Sequence, residues 1–316
     1  MALMVFLVPA CRGGKKAPSP EEVFPRTFPE PEIPSVFGTP SERVEYVATH
    51  FWDSFLDTAD IYPSDTSMVN GVSNEEVESA LAVYVRILKD GLSLDSGKKA
   101  VSGFFGKMET FAKADTSMAV FDFLVKKATA ILYNPNSGLR DEDLFLPFVS
   151  ALAVSPFAKE SLRESYAYDV RMCSLNQAGS KAADFVFTEL SGRRTRLHDI
   201  KAENTLLFFS NPGCPACADI IEELTADAVV TGMIESGKLA VVNVYIDEDV
   251  DKWREDAAKY PSSWHNGYDQ DLLIRSDLLY NVRAIPSLYL LGKDKEVILK
   301  DAPENIVIKY INTLNQ

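Results

Sequence analysis

The 316 residues are long for one domain and sufficient for two, and an apolar content of 46% supports a sizeable core. A formal charge of −14 repels phosphate backbones and so excludes nucleic acid as a partner class. Four cysteines (Cys11, Cys173, Cys214, Cys217) are too few for a disulfide-stapled scaffold, and three histidines limit metal chemistry.

Met1 to Ala10 is an apolar run, too short for the ~20 residues that span a bilayer. It reads as the core of a signal peptide. Val8-Pro9-Ala10-Cys11 resembles a bacterial lipoprotein cleavage site, with small Ala10 before a Cys11 that would carry the lipid. Residues 1–11 are therefore expected to be a signal and lipid-attachment segment. The stretch 12–39 follows, with Pro18, Pro20, Pro25, Pro29, Pro31 and Pro34. Proline at this density favours extended polyproline II and predicts a semi-rigid spacer between membrane and folded domain.

Thr39-Pro40-Ser41-Glu42 is a capping-box helix start, ahead of Val44, Val47, Phe51 and Phe55 at helical spacing. Ser73-Asn74-Glu75-Glu76 is a second start, ahead of Val77, Leu81, Tyr84 and Leu88. Further helical patterns cover about 98–114, 117–133, 141–154 and 156–172. Residues 40–172 thus predict an all-α domain of five or six helices.

From about residue 184 the pattern turns to short strands. Asp184–Thr188 and Thr195–Leu197 predict a hairpin around Ser191-Gly192. Leu206–Ser210 and Ala240–Ile246 predict buried strands, with a helix from Cys214 to about Val230 between them and another from Asp249 to about Lys259 behind. Ser287–Leu291 and Glu296–Lys300 predict two more strands, and Pro303–Leu314 a closing helix. Trp264-His265 falls in a long insertion before those last strands. Asp247–Asp251 predicts a solvated loop and helix start; its spacing lacks the Gly and distal Glu of a calcium loop.

The chemistry concentrates at Pro212-Gly213-Cys214-Pro215-Ala216-Cys217. Two thiols with two residues between them, at a strand end and a helix start, can close into a disulfide and exchange electrons with other proteins. Cys214 lies where free N–H groups and the helix dipole favour a thiolate, so its pKa is predicted below the usual ~8.5. It is the predicted nucleophile, and Cys217, one turn on, the resolving thiol. The alternatives are a zinc half-site or inert core thiols, but zinc wants four ligands and no second Cys-x-x-Cys exists. A peroxidatic Pro-x-x-x-Thr-x-x-Cys pattern is absent around Cys214. Cys173, between the two regions, is either a third redox thiol or, as is commoner, a small buried hydrophobe.

Residues 176–316 resemble a thioredoxin-like domain of the bacterial TlpA/ResA type. The resemblance rests on Gly179–Phe185, on Leu206–Cys217, and on Tyr280-Asn281-Val282-Arg283-Ala284-Ile285-Pro286-Ser287-Leu288-Tyr289-Leu290. Residues 40–172 resemble a helical domain of unknown function found before such domains in Gram-negative lipoproteins. The resemblance implies an α/β fold, a central mixed sheet flanked by helices, behind the all-α domain. It implies a cis peptide before Pro286, which would pack on the sulfurs, and an Ile285 backbone free to bind a substrate strand. It also brings a departure. The positions at which relatives carry a proton-accepting acid hold Phe208 and Ile220, with Asp219 and Glu222 nearby.

The function expected is a thiol–disulfide oxidoreductase of the cell envelope, reductase or isomerase rather than oxidase, anchored through Cys11. Its partners would be envelope protein thiols and disulfides and an upstream membrane or periplasmic electron donor, and it would need no cofactor. The alternative is a binding lipoprotein that uses the helical domain, with the thioredoxin-like part as scaffold.

Overall fold

A computed structural model describes residues 25–314. The expected signal segment, Cys11 and the first half of the spacer lie outside the described residues. From Arg26 onward the expected spacer does not stand free. Phe28 is buried among Phe51, Trp52 and Phe55, and its N–H donates to Glu76 Oε1 at 2.8 Å. Arg26 pairs with Val72 and stacks on the Tyr62 ring. An aromatic placed among prolines still buries against the nearest core.

The helical domain comprises α1 (Pro40–His50), α2 (Asn74–Gly91), α3 (Leu94–Ala114), α4 (Ala119–Leu132), α5 (Glu142–Val154) and α6 (Arg163–Cys173). Local chemistry sets the starts. Thr39 Oγ1 accepts from Glu42 N–H at 3.2 Å, and Glu42 Oε2 accepts from Thr39 N–H at 3.0 Å, closing the capping box. Ser73 Oγ likewise accepts from Glu76 N–H and caps α2, without the reciprocal bond. The domain is not purely helical: β1 (Met68–Val69) and β2 (Val72–Ser73) form a small antiparallel ribbon. Its turn is Asn70-Gly71, both with positive φ (48° and 74°), as a two-residue hairpin of right-handed twist requires. The core is aromatic, with Trp52, Tyr84, Phe104, Phe105, Phe145 and Phe148 in one cluster.

The second domain is a seven-stranded mixed sheet. Its strands are β3 (Val186–Glu189), β4 (Arg194–Arg196), β5 (Asn204–Phe209), β6 (Leu239–Tyr245), β7 (His265–Tyr268), β8 (Ser287–Leu291) and β9 (Val297–Leu299), in the order β4-β3-β7-β6-β5-β8-β9. β6 runs parallel to both β5 and β7, and β8 runs antiparallel to β5. Strand periodicity divides the core between two faces. Leu207 and Phe209 join Phe187, Val242 and Tyr289 on one face; Leu206 and Phe208 join Cys217, Ile220 and Leu290 on the other. The helices α7 (Pro215–Ala226), α8 (Ala228–Glu235), α9 (Val250–Ala257), α10 (Leu273–Ser276) and α11 (Glu304–Thr313) complete the domain.

Two expectations are corrected here. The helix expected from Cys214 to Val230 is broken at Asp227, whose carboxylate accepts from the N–H groups of Val229 and Val230 and starts α8. The insertion expected to hold Trp264 and His265 instead supplies β7, clamped between β3 and β6. Gly267 is required there, since a Cβ would lie 2.5 Å from Phe187 Cδ2 and 2.9 Å from the Thr188 carbonyl oxygen.

The two domains meet through buried charge. Glu142, at the start of α5, accepts from Arg283 Nε at 2.9 Å and Asn281 Nδ2 at 2.8 Å, and Lys300 Nζ lies 3.0 Å from its other oxygen. Lys300 also donates to the carbonyls of Cys173 and Leu175, and Arg140 Nε to that of Asp301.

Candidate active site

The chain leaves β5 at Phe209 and turns sharply before α7. Cys214 N–H donates to Asn211 C=O at 3.3 Å, with Pro212 and Gly213 between them. Proline at the second position and glycine at the third with φ 70° is the pattern of a type II turn. The Asn211 side chain is tied to Asp247 Oδ2 at 2.8 Å, which anchors the turn to the β6–α9 loop. Pro212 is buried, whereas Gly213, Pro215 and Ala216 are exposed at the rim.

Cys214 is the N-cap of α7 and Pro215 its first helical residue, where no N–H is wasted. The Cys217 N–H points at Cys214 Sγ, 3.2 Å away, so a free helix donor is available to a charge on that sulfur. Cys214 and Cys217 are joined as a disulfide, with Cα atoms 5.3 Å apart. Their environments differ. Cys214 is half-buried, whereas Cys217 is 2% exposed beneath it, against Phe208 and Ile220.

Register brings the distant loop to the same place. Phe209 pairs with Ser287, so Ile285 and Pro286 lie at the sheet end from which the Cys214 turn departs. The Ile285–Pro286 peptide is cis. Ile285 and Cys214 pack against the same apolar cluster, the one that contains Cys217. Neither Ile285 nor Pro286 lines the main cleft beside the disulfide. That cleft, about 550 Å³, lies on the α9 side and is bounded by Cys214, Cys217, Ile221, Glu222, Lys259 and Tyr260.

Phe208 and Ile220 are buried and apolar, so they give Cys217 no acid. Asp219 is exposed; Glu222 is exposed on the cleft wall. Sequence reasoning missed a polar chain behind that wall. Burial pushes the Tyr260 phenol up, and the nearby Ser210 side chain partly offsets this. Ser210 donates to Asn243, Asn243 to Asn266 at 3.1 Å, and Asn266 to the Pro261 carbonyl at 2.9 Å. Three asparagine and serine side chains on β-region residues beside a Cys-x-x-Cys were the available signal.

Cys173 is fully buried at the domain seam. Burial, and then the nearby Glu142 carboxylate, push its thiol up. Native reduced protein treated with iodoacetamide at neutral pH is expected to be modified at Cys214 and not at Cys173. Peptide mass spectrometry checks this, and equal labelling of both would contradict it. His198 is a structural residue, with Nε2 2.9 Å from the Ala182 carbonyl oxygen, and half-buried His265 lies in β7. Among the described residues, no helix is long and apolar enough to cross a membrane, and no group of three metal-ligating side chains occurs.

Comparison with known proteins agrees with this architecture. The model of a domain of unknown function (DUF5106) matches residues 10–176, more than half of the chain. A thioredoxin-like protein from Bacteroides caccae is 33% identical over 92% of this chain and 99% of its own, with a TM-score of 0.79. The C-terminal domain of an uncharacterized protein from Bacteroides fragilis is 45% identical over 43% of this chain and 98% of its own, with a TM-score of 0.42. The thioredoxin domain of a thiol-disulfide oxidoreductase from Bacteroides vulgatus is 21% identical over 43% of this chain and 99% of its own, with a TM-score of 0.38. No curated protein matches. The chain belongs to the family defined by the DUF5106 domain, carried here in front of a thioredoxin-like domain.

Proposed function

We propose that the protein is a thiol–disulfide oxidoreductase that reduces or isomerises disulfides of envelope proteins. The observation that carries this reading is the asymmetric disulfide: one sulfur half-buried at a helix start on a cleft, the other buried beneath it.

In the reduced protein the Cys214 thiolate attacks one sulfur of a substrate disulfide. A Cys214–substrate bond forms, the substrate disulfide breaks, and its other sulfur leaves as a thiolate that takes a proton. Cys217, deprotonated, then attacks Cys214 Sγ. The internal disulfide re-forms and the substrate departs as a dithiol, two electrons richer. Two electrons from an upstream dithiol restore the reduced protein. The free backbone of Ile285 would pair with an extended substrate segment, and the cleft would take an apolar side chain beside the reacting sulfur. Lipid on Cys11 would hold this site at a membrane surface.

Buried Phe208 and Ile220 bear on direction. With apolar side chains at these two positions, neither supplies Cys217 with a buried proton acceptor, which would lengthen the life of the mixed disulfide and favour shuffling of substrate pairings over fast net reduction. Insulin reduction with dithiothreitol as donor tests the reading. B-chain precipitation is expected several times faster with catalytic amounts of the protein than without it. A rate equal to dithiothreitol alone, with the internal disulfide shown to be reduced, would overturn it.

A further inference from the structure

We infer that the helical domain is a working part of substrate capture, with Glu142 as the positioning residue for the loop that carries Ile285 and Pro286. This inference rests on the redox reading above and assigns the helical domain a role within it.

The loop is held by side chains on both flanks. Before it, Asn281 and Arg283 donate to Glu142 Oε1 at 2.8 and 2.9 Å. After it, Ser287 donates to Asp301 Oδ1 at 2.7 Å, and the other Asp301 oxygen accepts from Arg283 Nη2 at 2.8 Å. One guanidinium therefore ties the two flanks together and anchors both to α5. Its plane lies over the Tyr133 ring, 4.2 Å from the centroid, and the Tyr133 hydroxyl reaches Asp169 of α6 at 3.2 Å. Burial alone would lower the Arg283 pKa, but Glu142 and Asp301 outweigh it and raise it above the usual value.

Joining two domains does not need this. Apolar contact would do so without removing a carboxylate from water, and the Glu142 side chain is only 1% exposed. What the network adds is a fixed loop. A substrate strand that docks on a loop already ordered loses less entropy on binding than one that must order it. Loss of the anchor should therefore raise KM for strand-like protein substrates. It should leave the intrinsic reactivity of Cys214, across the sheet end, as it was.

The test uses the full chain and two disulfides. Insulin can lie along the loop; 2-hydroxyethyl disulfide has no backbone to dock. With Glu142→Gln, KM for insulin is expected to rise about tenfold with kcat within twofold, while the rate with 2-hydroxyethyl disulfide is unchanged. Arg283→Lys, which keeps the charge and loses the fork, should fall between the two. A folded Glu142→Gln protein with wild-type KM overturns the inference, as does an equal loss on both disulfides. Should Glu142→Gln not fold, Ser287→Ala, which unties only the Asp301 end, is read by the same split. A wild-type protein inert toward both disulfides would instead remove the redox reading itself.

Discussion

With Cys214→Ser, insulin reduction is expected to fall to the rate of the dithiothreitol donor alone, whereas Cys217→Ala should capture substrate instead of releasing it. Serine preserves the helix cap, since its oxygen can accept the same N–H, but a hydroxyl does not displace sulfur from a disulfide. The alanine variant keeps the attacking thiol and removes the internal one. The first bond still forms and nothing in the protein can break it. One substrate chain per protein should therefore accumulate as a mixed disulfide, seen as a mass gain that reductant reverses. The asymmetry follows from placement: Cys214 caps α7 on the cleft, and Cys217 lies under it against Phe208 and Ile220. If Cys214→Ser traps substrate and Cys217→Ala does not, the two roles are the reverse of those assigned here.

Much of this site was legible because its signals are local. An apolar run, a Pro-Gly pair, a cysteine and a proline specify strand, type II turn, helix cap and first helical residue within about a dozen positions. The same holds for the capping box at Thr39 and the N-cap at Ser73. Asn70-Gly71 was equally local and marks a hairpin that the helical pattern around it obscured. β7 is a different case. His265-Asn266-Gly267-Tyr268 has little strand propensity, and it is a strand because β3 and β6 pair with it on either side. Its glycine answers to Phe187, some eighty residues earlier. The seam is the extreme case. Glu142 reads in sequence as an ordinary acid in the first turn of a helix, and nothing near it announces Arg283 or Lys300. Pairings of that separation arise only once both domains have folded and docked. The site and the fold class were thus written locally, while the element that ties the helical domain to the site was not.

Glu142→Ala is expected to destabilise the protein by about 3–5 kcal/mol, because it leaves the Lys300 ammonium buried without a carboxylate. For a cooperative unit of this size that corresponds to a fall of about 5–8 °C in the midpoint of thermal unfolding. The surviving partners of Lys300, the carbonyls of Cys173 and Leu175, are dipoles and cannot neutralise it. Arg283 suffers less, since Asp301 remains 2.8 Å away. The asymmetry gives a second measurement. Lys300→Met introduced into the alanine variant removes the stranded charge, and the double variant should recover at least half of the lost stability. A calorimetric or denaturant cycle across the four proteins reads the coupling directly. Losses that simply add would mean that Glu142 and Lys300 act independently. Lys300 would then be held by the carbonyls of Cys173 and Leu175 and not by Glu142.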